Sequence, residues 1–156
     1  MHTWLCSALD DRVACAAPII GVQGFKWAIE NNMFHARVQS IPKVFEAAMV
    51  DMKKCALDGE VVEAVWKRIM PGLLDSYDAC HSLPLIAPRP LLIINGELDA
   101  RCPIDAVHIA LTATRSAYKK RPGDLQFYVE MGAGHEVTEG MKQSVRHWMD
   151  RHLLGV

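Results

Sequence analysis

PLLIINGELDARCP, residues 90–103, decides the fold. Its first half, Leu91–Ile94, is an unbroken apolar run directly after a proline, the pattern of a strand buried on both faces inside a parallel sheet. Asn95 to Asp99 then form a turn that delivers a carboxylate just beyond the carboxyl end of that strand. In an open α/β sheet this is the edge where ligands bind. Further along, a second strand, Leu125–Glu130, runs into Met131, Gly132, Ala133, Gly134 and His135. A carboxylate and a histidine are thus both placed after strand ends.

Working outward, Val13–Val22 (VACAAPIIGV) reads as another buried strand with a tight exit at Gly21 and Gly24. Before it, Trp4, Leu5, Ala8 and Leu9 have helical spacing, with no capping residue ahead of them. Between Phe25 and Leu85 no strand pattern occurs. The spacing predicts helices over Phe25–Asn31, Ala36–Lys54 and Glu60–Met70, the last bounded by Asp58-Gly59 and Pro71-Gly72. Such an insertion, residues 23–87, is a natural cap over a site; its plainer role is packing on one sheet face. His81–Arg89 reads as extended and proline-punctuated. Pro103 opens a helix over Ile104–Lys120, and an amphipathic helix from about Thr138 to Leu154 ends the chain. The alternation predicts an α/β fold of about three parallel strands flanked by helices, joined by right-handed crossovers.

Composition narrows the function classes. With 51% apolar and 22% charged residues and a net charge of -1, the 156 residues have the balance of one ordinary core. They lack the basic excess of a nucleic-acid-binding surface. The longest apolar runs are too short and too interrupted by proline to cross a bilayer, and no leader pattern opens the chain. Cys6, Cys15, Cys55, Cys80 and Cys102 are scattered, with no CxxC pair, which argues against a disulfide framework or zinc site and for a reducing, cytoplasmic setting. His2, His35, His81, His108, His147 and His152 show no HxH or HExxH spacing, so no metal or other cofactor is expected.

A strand ending in an acid (PLLIINGELDARCP), a helix, a strand ending in glycine and histidine (FYVEMGAGH) and a terminal helix together resemble the carboxyl-terminal part of the α/β-hydrolase fold. The dienelactone-hydrolase, acetylxylan-esterase and prolyl-oligopeptidase-like members are the nearest in pattern. In that family the triad runs nucleophile, acid, histidine, with the nucleophile on a GxSxG elbow. The resemblance makes Asp99 the triad acid and His135 the base, and implies a small ester or other acyl substrate. No GxSxG is present: Ser7, Ser40, Ser76, Ser82, Ser116 and Ser144 all lack the flanking glycines. Residues 1–9 resemble the helix that follows the elbow, which would place the nucleophile before Met1 and make residues 1–156 a single incomplete domain, inactive alone.

Plainer roles stand beside these. Asp99 is also well placed to cap the helix after Pro103, and His135 to be an ordinary loop histidine. Glu97 and Arg101 read as solvated turn residues, and Trp27, Trp66 and Trp148 as core or cap anchors. Cys102 follows the acid rather than occupying an elbow, which argues against a thiol nucleophile; an esterase with an unconventional nucleophile is the least supported reading. The rival to an enzyme is a non-catalytic module. The strand Val13–Val22 would leave one sheet edge open, suited to pairing with a partner or with a second copy.

Overall fold

The computed structural model describes residues 1–155. Two strands pair in parallel, β1 (Leu91–Gly96) and β2 (Leu125–Glu130), in register from Leu91 opposite Leu125 to Gly96 opposite Glu130. The continuous apolar run of β1 is buried at every position, as a central strand must be, whereas β2 is half-exposed.

On the other side of β1 lies the segment expected to be a third full strand. It is parallel to β1 but touches it only through bridges at Ala16–Leu91 and Ile19–Ile94. Backbone bonds Ala16 N to Pro90 O (2.9 Å), Leu92 N to Ala16 O (2.9 Å), Ile94 N to Pro18 O (3.0 Å) and Ile20 N to Ile94 O (2.8 Å) hold it there. The strand is cut short because Pro18 has no N–H to give and Ile20 is turned to a φ of 42°, outside the extended region. Helix α1 (His2–Leu9) leads into this segment. Its C-terminal carbonyls and the following turn are gathered by Arg89, which donates to Ser7 O, Asp10 O (2.8 Å) and Val13 O (2.9 Å).

The region between the first two strand positions is helical, with two departures from the periodicity. The single helix expected over 36–54 is split into α3 (His35–Val38) and α4 (Pro42–Asp51), since Pro42 can start a helix but cannot continue one. Residues 81–89 are not extended: α6 (Ala79–Ser82) passes into a 3-10 turn, Leu83–Ile86, which buries Leu83 and Ile86 against the core. The reason is Asp78, buried, whose carboxylate accepts from the Phe25, Lys26 and Ala79 amides and so begins α2 (Phe25–Glu30) and α6 at one point. Helix α5 (Gly59–Ile69) forms as its spacing predicts, with Asp58 accepting from Val61 N at 3.0 Å and Gly72 in the left-handed region beyond its end.

Helix α7 (Ile104–Ala117) makes the crossover to β2, and α8 (Glu139–Met149) follows the histidine loop. The alternation of β1 divides the core. Leu91 and Ile93 pack with Trp4, Val107, Leu111, Phe45 and Trp66 on one face, while Leu92 and Ile94 pack with Ala17, Met141 and Trp148 on the other. The result is an α/β layer arrangement whose strands all point their carboxyl ends toward the loops holding Asp99 and His135. No helix among the described residues is long and apolar enough to cross a membrane.

Candidate active site

Two loops meet at the carboxyl end of the sheet. The acid loop leaves β1 at Gly96 and the histidine loop leaves β2 at Met131. They touch because Gly96 has no side chain: a Cβ there would lie 2.4 Å from Gly134 O and 2.5 Å from Ala133 O. That close crossing is fixed by Glu97 N to Glu130 O (3.0 Å), Leu98 N to Ala133 O (2.8 Å) and Gly132 N to the Glu97 carboxylate (2.9 Å). Gly132 takes a φ of 73°, which few residues but glycine accept; Gly134 does not need that freedom. The far side of the histidine loop is anchored by Glu130, whose Oε2 accepts from Tyr128 (2.9 Å) and from Thr138 (2.8 Å), the residue that caps α8.

This framework brings both expected residues together. His135 Nδ1 lies 2.8 Å from Asp99 Oδ2 and 3.0 Å from Oδ1. The Asp99 side chain is wholly buried, while that of His135 is 28% exposed. Asp99 is held from behind by two amides, Arg101 N (2.8 Å) and Cys102 N (3.0 Å), both donating to Oδ1. It therefore caps the turn ahead of α7 and not the helix itself, whose first residue follows Pro103 without a side-chain cap. Facing a buried carboxylate, Nδ1 carries the ring proton, so Nε2 is the bare acceptor; it hydrogen-bonds to no described residue.

The turn is stiffened further by Asn95, whose buried amide donates to Gly96 O (2.9 Å) and Cys102 O (3.0 Å) while its own oxygen has no partner among the described residues. Cys102 is buried beside the pair. Its thiol donates to Ile20 O at 3.2 Å, and burial together with the Asp99 charge pushes it up to about 12. A thiol held protonated is a poor nucleophile near neutral pH. Ligand atoms of Asp99, Cys102 and His135 lie within 4.8 Å of one another, close enough to consider a cation. The 2.8 Å contact from imidazole to carboxylate has the geometry of a hydrogen bond.

None of the serine hydroxyls bonds to His135 among the described residues. Ser7 and Ser144 return their protons to carbonyls of their own helices, Ser40 bonds to Arg37 O, and Ser82 accepts from Trp4 and donates to Tyr77 O. The smaller expectations fare differently. Glu97 is a strut between the two loops and not a solvated turn residue, and His152 packs tilted against Trp148 with centroids 4.1 Å apart. Trp66 and Trp148 are core anchors; Trp27 is half-buried. Gln23 and Arg37, which the sequence did not single out, stand against the acid loop: with its amide group turned to face one acceptor and one donor, Gln23 donates to Arg101 O at 2.7 Å and accepts from Arg37 Nε at 3.3 Å.

No protein-family model and no curated protein matches the sequence. Solved structures do match in shape. A carbohydrate esterase family 15 glucuronoyl esterase from Caldicellulosiruptor kristjansonii superimposes with a TM-score of 0.62 at 16% identity over 99% of this chain and 40% of that one. The alpha/beta hydrolase GrgF from Penicillium sp. sh18 does so with a TM-score of 0.56 at 16% identity, over 97% and 60%. The chain spans less than two thirds of either structure's length. What they share with it is architecture, and the chain has part of the α/β-hydrolase fold.

Proposed function

We propose that Asp99 and His135 are the acid and base of a hydrolase charge relay acting on an ester or other acyl bond of a small molecule, and that the nucleophile is not among the residues of this chain. The observation that carries the reading is the 2.8 Å contact between His135 Nδ1 and a fully buried, amide-held Asp99. In that arrangement Nε2 takes the proton of an attacking hydroxyl and later gives it to the leaving group. Asp99 keeps the ring in the required tautomer and stabilises the imidazolium. Without a hydroxyl to activate, the chain alone is inactive. The helical stretch 23–87 serves as the cap, and the irregularly spaced cysteines support a cytoplasmic setting.

The test has two arms. A proton NMR spectrum of the chain should show a downfield Nδ1–H resonance of His135 that disappears in Asp99→Asn. Hydrolysis of a short-chain p-nitrophenyl ester should be no faster with the chain than with His135→Ala. Turnover that depends on His135 would mean that a nucleophile within these residues does the work, and a missing resonance would remove the relay.

A second reading, a binding module, has one observation in its favour. Residues 16, 18 and 20 turn their backbone groups to β1, while the amides and carbonyls of Cys15, Ala17 and Ile19 have no hydrogen-bond partner among the described residues. That is an open edge on which another strand, including one from a second copy, can pair.

A further inference from the structure

Asp99, Cys102 and His135 offer the three ligand types of a zinc site: a carboxylate oxygen, a sulfur and a ring nitrogen, all within 4.8 Å of one another. Zinc bonds of about 2.0–2.3 Å in a tetrahedron set ligand atoms about 3.3–3.8 Å apart. The His135 Nδ1 and Asp99 Oδ2 pair, now at 2.8 Å, has to open slightly, and the widest separation has to close by at most about 1 Å. His135 is the member free to adjust, because its side chain is 28% exposed while Asp99 and Cys102 are buried. Asp99 and Cys102 form a D-x-x-C turn, the two-residue interval common to paired zinc ligands. A search for CxxC passes over it, since the first ligand is a carboxylate. Asp99 Oδ1 accepts from Arg101 N (2.8 Å) and Cys102 N (3.0 Å), which leaves Oδ2 for an ion and fixes the carboxylate as outer-shell donors do. The fourth position opens on the side where His135 meets solvent. The charges of Arg37 and Arg101 ease ionisation of the Cys102 thiol and oppose a cation, a balance that favours a reversible site over a permanent structural one.

We infer that Asp99, Cys102 and His135 bind a soft divalent cation, zinc above all, and that the bound ion switches off the acid–base pair. Binding releases one proton, from the Cys102 thiol. Thiolate, carboxylate, neutral imidazole and a divalent ion then sum to zero charge, where the metal-free set carries one negative charge. With Nδ1 on the metal, the single proton of the neutral ring moves to Nε2. The atom that must accept a proton from an attacking hydroxyl is thereby blocked, and the hydrogen bond to Asp99 is lost. The effect on turnover rests on the acid–base reading; the binding of the ion does not.

Titration of the reduced chain with Co²⁺, which reports a thiolate ligand by a charge-transfer band in the near ultraviolet, and with Zn²⁺ tests this. One equivalent of Co²⁺ should raise the band, and Zn²⁺ should compete it away. Cys102→Ala should lose the band and bind Zn²⁺ about tenfold or more weakly by isothermal titration. One equivalent of Zn²⁺ should also remove the His135 Nδ1–H resonance of the parent and leave that of Cys102→Ala. If Cys102→Ala does not fold, His135→Ala, which alters the exposed member, should show the same loss of zinc affinity. The absence of a band, a band or zinc affinity that survives these substitutions, or a parent resonance untouched by saturating Zn²⁺ overturns the site. The cobalt band is read without turnover and without the resonance. A metal-free chain that lacks the resonance fails the relay alone, and a chain that lacks the band fails the metal site alone.

Discussion

Asp99, Cys102 and His135 lie together, yet their environments assign them different chemistry. Asp99 is buried but receives two amide protons and the imidazole, so its charge is balanced by donors on every side. Cys102 has the opposite surroundings: no cation bonds to it, its one partner is a carbonyl, and the Asp99 charge adds to burial in pushing the thiol up to about 12 from 9.0. Two results follow at the scale of this residue. Brief treatment with iodoacetamide near neutral pH should modify the exposed Cys6 and Cys55 and spare Cys102 until denaturant is added, as peptide mapping would read; early labelling of Cys102 would contradict its burial. The folded state also keeps this proton where an unfolded chain gives it up. The stability it contributes is therefore fully present below the ordinary thiol value and is lost as pH rises toward about 12. The urea midpoint should fall more steeply between about pH 8.5 and 10 in the parent chain than in Cys102→Ala; parallel slopes would show that the thiol does not titrate with folding.

At the scale of elements, the site exists because two strand-end loops cross with nothing between them, and Gly96 is the point of crossing. Gly96→Ala places a methyl 2.4 and 2.5 Å from two carbonyl oxygens that belong to backbone and cannot swing aside. The expected cost is about 1–3 kcal/mol or more of stability, as for other overpacked positions, together with loss of the His135 Nδ1–H resonance as the histidine loop is lifted off. A variant with parent stability and an intact resonance would mean that the crossing is not what seats His135. The sequence carried much of this: the apolar run before Asn95, the glycines around His135 and the order of acid and base all point to two loops at one sheet edge. It did not carry the crossing, because the partner atoms of Gly96 are carbonyls of a loop far along the chain. Nor did it show Glu97 as a strut, since a glutamate in a turn looks the same whether or not an amide faces it. The 81–89 stretch was misread for a similar reason: prolines there suit an extended chain or a 3-10 turn equally, and Asp78, which decides, acts through amides at 25 and 26.

At the scale of the molecule, the sheet is small and its first strand position is the weak one. Strand β1 is enclosed by neighbours on both sides, but the segment 16–20 has a neighbour only at β1, through four backbone bonds, and Pro18 and Ile20 prevent it from extending. Its outward amides at Cys15, Ala17 and Ile19 lie beside partly buried apolar side chains, Cys15, Ile19 and Ile20, that continue the smaller core cluster. Unsatisfied backbone groups next to apolar surface favour pairing with another strand, and in a solution of this chain alone the available strand is the same edge of a second copy. Sedimentation velocity over a range of concentrations should therefore show a monomer–dimer equilibrium. Ala17→Pro tests the edge while sparing the bonds to β1, which come from residues 16, 18 and 20, because the N–H removed at 17 faces outward. Its dimerisation should weaken by about tenfold, as expected when a pairing loses a donor at its centre and gains a residue excluded from paired strands. Because Ala17 is buried in the smaller core cluster, the ring should also cost about 1–3 kcal/mol of stability, so dimerisation is compared at a temperature where both chains are folded. A parent chain that remains monomeric at high concentration, or an Ala17→Pro chain that dimerises as well as the parent, would show that this edge is not the surface through which copies meet.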